Sequence, residues 1–382
     1  MEQVGSALIG CGKVGETHAL ALKALPQSHF VAVCDVDRAR AEVFAARFGV
    51  QGYTDAGEML AREDVQMVSI CTPHPTHAKY AMSAAQAGIH ALVEKPFASN
   101  LRDCDRALAA ARAAGTKLGV VSQRRFYPAT QRVWRAIQEG RIGKPILAML
   151  TVLGWRDEGY YRMDPWRGKW DTEGGGVMVN QTPHQLDILQ WLMGPLEELY
   201  GYWDNFNHPY IEVEDTAVAT LRFRSGAVAT IVVSNSQNPG LYGRVHVYGS
   251  NGASIGVQTD SGNIFISGVT TNPEPPINDL WTIRGEEHLL ARWQEEDRAL
   301  ASRVNIMTYF HERQIEDFLQ AIIEGRELAV TGEEGRVSVE ILTAVYRSQR
   351  DHRPVRFPVP AEDGYGDYDG RLSKALYSRC EG

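Results

Sequence analysis

Three polar side chains, Asn180, His184 and Asp187, stand in the apolar run GGGVMVNQTPHQLDILQWLMG, Gly174 to Gly194. An imidazole can move a proton near neutral pH, an amide can orient a hydroxyl, and a carboxylate can accept from one. Their spacing is i, i+4, i+7, which on one helix makes a shared face. Val177, Leu186, Leu189 and Leu192 point largely elsewhere. Thr182, Pro183 and Gln185 also fit N-cap, N1 and N3, and a helix restarting there would leave Asn180 in the entry turn. A second set is Gly10-Cys11-Gly12-Lys13-Val14-Gly15, a GxGxxG that follows a strand and opens a helix. There the first glycine permits a tight turn, the second lets a pyrophosphate approach the backbone, and the third lets helix and strand pack closely. Helix N-terminal amides would hold the phosphate charge. Asp35 ends the next strand, 20 residues after Gly15. A carboxylate there accepts from a ribose diol and repels a 2′-phosphate, so NAD is favoured over NADP. The third set is Glu94-Lys95-Pro96, with an amine at a strand's carboxyl end.

The elements that carry these residues change character near Ser122. Before it, the runs SALIGCG, HFVAVCD, VQMVSICT, HALVEKP and KLGVVS alternate with helices of ten or more residues, the pattern of βαβ units and a parallel sheet. After it, a helix over about Pro128–Glu139 leads into PILAMLTVLG, LEELYGYWDN, DTAVATLRFRSG, AVATIVVSNS and GRVHVYGSNG. These alternate and are joined by turns such as RSGA and GSNGA, so they predict an antiparallel sheet. From about Thr270 to Arg303 the chain is polar and reads as a loop plus a charged helix. Two helices follow, the second with a capping box of Thr331 and Glu334.

A chain of 382 residues is long enough for two domains. Hydrophobic residues at 44%, charged residues at 23% and a net charge of −8 with no basic stripe describe a globular protein and set nucleic-acid binding aside. No apolar run reaches the roughly 18 residues of a membrane span, and the first residues carry no basic n-region. The five cysteines are scattered, with no CxxC pair, which predicts a reducing cytoplasm and no disulfide framework. His74 and His77 have a spacing that could hold a metal, but no third ligand is apparent, so no metal is expected.

With CTPHPTHAKYA before it and GGGVMVNQTPHQLD after it, the Glu-Lys-Pro motif makes the chain resemble the Gfo/Idh/MocA oxidoreductases. The likeness runs through SQRRFYPATQRVWRAIQEGRIGKP and the two C-terminal helices, nearly the whole length. It implies an α/β protein with an NAD-binding Rossmann domain over residues 1–122. Residues 123–382 would be an α+β domain with a large, mostly antiparallel open sheet for substrate binding and oligomerisation. It implies NAD beside Gly10, Gly12, Lys13, Val14, Asp35, Thr72, Pro73, His74, His77, Glu94, Lys95 and Gln123. Lys95 and His184 would be catalytic. As an amine beside a cationic nicotinamide, Lys95 has its charged form disfavoured by desolvation and by like charge. Asn180, Asp187, Arg124, Tyr161, Trp166 and Arg167 would meet the substrate. Family members often carry Asp where this chain has Asn180, and an amide cannot take a proton. Trp155, Tyr160, Tyr161, Trp166 and Trp170 crowd one loop. Such clusters are most often core, and in a loop this rich in glycine and charge the alternative is a platform for a sugar's apolar face. The implied activity is hydride transfer between NAD and a secondary alcohol or ketone of a sugar, glycoside or cyclitol, in a homodimer or homotetramer. Two rivals fit the same residues. One is an NAD-dependent glycosidase or lyase that oxidises C3 transiently, and the other is a non-catalytic NAD-binding sugar sensor.

Overall fold

The computed structural model describes residues 3–260 and 275–361. The chain divides into two units, Met1–Gln123 with Asn305–Arg336, and Arg124–Val304 with Val337 onward. The expected domains were 1–122 and 123–382. The difference is Asn305–Arg336, which reads as part of the second domain but packs with the first.

In the first unit, β1 (Val4–Ile9), α1 (Lys13–Ala24), β2 (Ser28–Cys34), α2 (Arg38–Phe48), β3 (Gln51–Tyr53), α3 (Ala56–Leu60), β4 (Met67–Ile70), α4 (His77–Gln86), β5 (His90–Val93), α5 (Leu101–Ala114) and β6 (Leu118–Val120) follow in order. The strands form one parallel sheet, β3-β2-β1-β4-β5-β6. The short β3 and α3 were not anticipated. Strand order reverses at β1, and ligands of such sheets bind outside the carboxyl ends near that point. Helices α2 and α5 begin where a side-chain oxygen meets N–H groups that have no carbonyl partner. Asp37 accepts from Ala39 and Arg40 at α2, and Asn100 accepts from Asp103 at α5. The core joins Leu8, Leu22, Val33 and Leu92 to Ile315, Phe318 and Leu319. Those last three are why the late segment belongs here.

The second unit begins with α6 (Pro128–Gln138), β7 (Pro145–Leu153), α7 (Glu158–Arg162), α8 (Val177–Asn180) and α9 (Pro183–Met193). It continues through β8 (Leu196–Asp204), β9 (Thr216–Phe223), β10 (Val228–Ser234), β11 (Gly243–Gly249), β12 (Ser254–Asp260), β13 (Ile277–Trp281) and α10 (Leu289–Ala301). α11 (Ile306–Glu324) is the helix returned to the first unit, and α12 (Gly332–Asp351) and β14 (Val355–Arg356) follow. The Thr331–Glu334 capping box forms as expected at the start of α12. The sheet has eight strands, β13-β12-β11-β7-β10-β9-β8-β14. All neighbours are antiparallel except β7 and β10. β13 lies inside the stretch expected to be loop and charged helix. α10 is that helix, and residues 270–274 lie outside the described residues. Burial alternates along β9 and β11, so one face is core. The other face leaves Met149, Tyr202, Val218 and Val228 exposed.

The turn into α8 is held by Glu214, which is completely buried. Its carboxylate accepts from the N–H of Gly176 at 2.8 Å, the N–H of Met178 at 3.0 Å and the Tyr346 hydroxyl at 2.9 Å. Gly176 packs against the Glu214 carbonyl so closely that a Cβ there would overlap it. Burial pushes the Glu214 carboxyl up to about 7 from 4.5, against those three donors. A native value above the unfolded one means the native state holds the proton more tightly. Its stabilisation is therefore full below about pH 4.5 and is lost as pH rises through about 7, a change of about 3 kcal/mol. The urea midpoint should fall from pH 5 to pH 8, and Glu214→Gln should flatten that slope. Equal slopes in the two proteins would show that Glu214 does not titrate.

Candidate active site

At the carboxyl edge of the parallel sheet, β1 ends in the glycine turn. Gly10 adopts φ 101°, and a Cβ on it would lie 2.5 Å from the Cys71 carbonyl oxygen. A Cβ on Gly15 would overlap the Gly10 carbonyl, whereas one on Gly12 meets nothing within 4 Å. α1 starts at Lys13 with no side-chain cap. An open second glycine and uncapped N–H groups suit a pyrophosphate. Asp35 Oδ2 accepts from the Cys11 N–H at 2.8 Å and Oδ1 from the Asp37 N–H at 2.9 Å, so this carboxylate braces the turn. Burial and the Asp35 charge push the Cys11 thiol up to about 12, which keeps it protonated and unreactive. Further along the same edge come Thr72 and Pro73 after β4, Lys95 after β5 and Gln123 after β6. Gln123 Oε1 is buried with no hydrogen-bond partner, an acceptor of the kind that a bound carboxamide satisfies. The residues therefore fit NAD.

Two expected cofactor contacts do other work. His77 lies between two carbonyls, with Nε2 2.7 Å from that of Thr72 and Nδ1 2.7 Å from that of Pro96, and a neutral ring donates its one N–H to one of them. Burial pulls its pKa down against both carbonyls. His74 is buried with its ring 5.8 Å from that of His77. Glu94 faces inward. Its Oε1 lies 3.1 Å from His18 Nε2 and 3.5 Å from His311 Nε2, while Oε2 accepts from the Lys95 N–H at 3.0 Å. Burial pushes Glu94 up, but the two histidines outweigh it and hold the carboxylate well below its usual range. His18 Nδ1 meets the Ser69 hydroxyl, and His311 Nδ1 donates to the Met307 carbonyl. Sequence reasoning missed this trio because His18, Glu94 and His311 are far apart in the chain. Its three ligand-type atoms lie within 4.8 Å of one another, and the hydrogen bonds account for that arrangement. Glu94 thus anchors the backbone of half-buried Lys95.

In the second unit, Asn180 and His184 do not share a helix. α8 ends at Asn180 and α9 starts at Pro183, with Thr182 spending its hydroxyl on the Val177 carbonyl. The entry-turn alternative is the one observed. His184 is buried in the first turn of α9. Asp187 is engaged elsewhere. Arg125 donates to it from Nε at 2.7 Å and from a terminal nitrogen at 2.6 Å, and its guanidinium also covers the Trp191 ring. The pair is almost wholly excluded from water. A hydroxyl-reading role for Asp187 therefore gives way to a buried ion pair with Arg125, while Arg124, the expected substrate contact, is half-buried beside it.

The aromatic loop divides likewise. Trp170 packs edge-on against Trp203 and Tyr346, and Tyr161 is buried against Tyr160 and His208 with its hydroxyl on Asn235. Both belong to the core and not to a platform. Arg167 lies over Tyr160 and Trp166 and bonds Asp164 and the Tyr160 hydroxyl. Trp166 remains partly exposed.

A glycine turn open to phosphate, an acidic residue ending β2 and a lysine at the carboxyl edge of the same sheet define an NAD-binding oxidoreductase. Residues 4–122 match the model of the oxidoreductase family with an NAD-binding Rossmann fold, and residues 130–255 match the GFO/IDH/MocA C-terminal domain. The chain belongs to the Gfo/Idh/MocA oxidoreductase family. It is 28% identical over 357 residues to myo-inositol 2-dehydrogenase of Thermotoga maritima, covering 91% of this chain and 97% of that one. It is 27% identical to the NAD(+)-dependent scyllo-inositol 2-dehydrogenase of Bacillus subtilis, covering 94% and 97%. Among solved structures, the WlbA dehydrogenase from Bordetella pertussis in complex with NADH and UDP-GlcNAcA superposes with a TM-score of 0.82 at 29% identity, covering 94% of this chain and 99% of that one.

Removing Asp187 strands a buried guanidinium. Asp187→Ala should lower stability by about 3–5 kcal/mol, the usual cost of breaking a buried pair. Denaturant unfolding measures it. A variant as stable as the parent but with a raised KM would return Asp187 to the substrate.

Proposed function

We propose that the protein moves hydride between NAD and a secondary alcohol or ketone carbon of a sugar, glycoside or cyclitol. The observation that carries this reading is the placement of Lys95 on the sheet edge that also bears the glycine turn, Asp35 and Gln123. NAD, when bound, supplies the hydride acceptor or donor. Lys95 binds the reacting hydroxyl and takes or returns its proton, with Glu94 fixing its backbone. In the second unit we assign proton handling to His184 and a hydrogen bond to the polyol to Asn180. Trp166 and Arg124 contribute contacts to the ring. Support for a polyhydroxylated ring comes from the relatives, since two are named for inositol and a third was solved with UDP-GlcNAcA.

The cytoplasm is the compartment we assign. Cys11, Cys34, Cys71 and Cys104 are free thiols, and among the described residues no helix is long and apolar enough to cross a membrane. The working form is a homodimer or homotetramer. Met149, Tyr202, Val218 and Val228, on the uncovered face of the eight-stranded sheet, supply its apolar contact, with Thr220 and Val232 alongside.

A panel of sugars and cyclitols with NAD tests the activity through absorbance of the reduced cofactor. Substrate consumption with no NADH accumulation would favour transient oxidation, and no turnover of any polyol would favour a sensor. In the active enzyme Lys95→Met should lower kcat roughly 10²–10⁴-fold and leave NADH binding intact. Parallel loss of NADH binding would make Lys95 a cofactor anchor. Light scattering at micromolar concentration should return a dimer or tetramer, and a monomer would remove the sheet-face contact.

A further inference from the structure

The Asn180 amide nitrogen carries two hydrogens, and both have partners within its own unit. One goes to Glu173 Oε1 and the other to the Tyr160 hydroxyl at 3.2 Å. Any other hydrogen bond that the Asn180 side chain makes is therefore accepted by Oδ1. Of the two partners, only Glu173 decides the orientation. A tyrosine hydroxyl can accept from an amide N–H or donate to an amide carbonyl, so Tyr160 could serve either flip. A carboxylate can only accept, so a flipped Asn180 would set two acceptors face to face. Glu173 is itself fixed. It is 2% exposed, and its Oε2 accepts from the Gly168 N–H at 2.5 Å. The Tyr160 hydroxyl already accepts from Arg167 at 2.6 Å and from Gln181 at 3.0 Å, which fills its two lone pairs, so its 3.2 Å contact with the Asn180 amide is the weakest of the three and Glu173 decides the orientation.

We propose that Glu173 is a positioning residue that locks the Asn180 amide with its carbonyl as the group offered to the substrate. The lock makes Asn180 an acceptor, so it reads an alcohol, which can donate, and cannot read a carbonyl oxygen. The inference rests on the reading above that Asn180 meets the polyol.

The test exchanges amide and carboxylate within the pair. In Glu173→Gln, the remaining carbonyl oxygen can keep the Gly168 N–H, but the new NH2 confronts that of Asn180. The Asn180 amide flips, and KM for the alcohol should rise about tenfold, the worth of one well-placed hydrogen bond. In Asn180→Asp, two acidic groups meet and one takes up a proton, so KM should gain a pH dependence beyond that of the parent. In the double variant the amide introduced at position 173 donates to the carboxylate introduced at position 180. Its carbonyl oxygen stays on the Gly168 N–H, and an acceptor again faces the substrate. KM should return to within about threefold of the parent, a strongly non-additive cycle. Unfolding midpoints of the same four proteins report the pair without substrate, and they too should be lowered in each single variant and restored in the double. KM effects that simply add overturn the positioning role even if the midpoints couple. Midpoints that do not couple overturn the lock itself. If the parent turns over no polyol, the functional reading fails, and the midpoints still decide whether the lock exists.

Discussion

A carboxylate taken out of water must be met by donors, and the second requirement here is that those donors come from segments that have to stay in place. Asp35 takes the Cys11 N–H and so holds the glycine turn. Glu94 takes the Lys95 N–H and holds the backbone at the carboxyl end of β5. Glu214 takes the N–H groups entering α8, Glu173 takes Gly168 and Asn180, and Asp187 takes Arg125. Five of the turns and loops around the site are tied to a buried acid in this way. An unmet buried acceptor costs more than an ordinary hydrogen bond gains, so these ties resist local opening.

This pattern also explains why polar residues near the site differ in kind. Asn180 and His184 sit at the end of one short helix and the start of the next, joined by a bend that Thr182 and Pro183 create. Asp187, one turn further, already belongs to the ion pair with Arg125, beneath which Trp191 stacks on Trp134 at 5.2 Å. Proximity in sequence therefore does not give these three residues a common task.

What was legible in the sequence was local. Strand and helix alternation, the GxGxxG turn with Asp35, and the Thr331–Glu334 box each depend on residues within one or two elements. The parallel sheet and the mostly antiparallel one followed from them. What escaped depends on pairing at a distance. β13 is short and lies within a polar stretch, so it needed β12 beside it to be recognised. α11 carries a helical pattern that says nothing of which core receives Ile315 and Phe318. The expected face of Asn180, His184 and Asp187 assumed one continuous helix, although Pro183 already carried the opposing signal. Nothing near Arg125 or Glu173 in the chain announces a buried partner.

The Asp35 contact has an evolutionary consequence. Its partner at the glycine turn is the main-chain N–H of Cys11, and the anchor asks nothing of the side chain there. Glu214 treats Met178 in the same way, and Glu94 treats Lys95 so, whereas Gly176 stays fixed because a Cβ there would overlap the Glu214 carbonyl. Residues on such turns can be exchanged under selection while the acid beneath them keeps its partner. A scaffold anchored through its peptide groups can thus drift widely in the side chains it presents, and acquire new specificities, without surrendering the geometry on which catalysis relies.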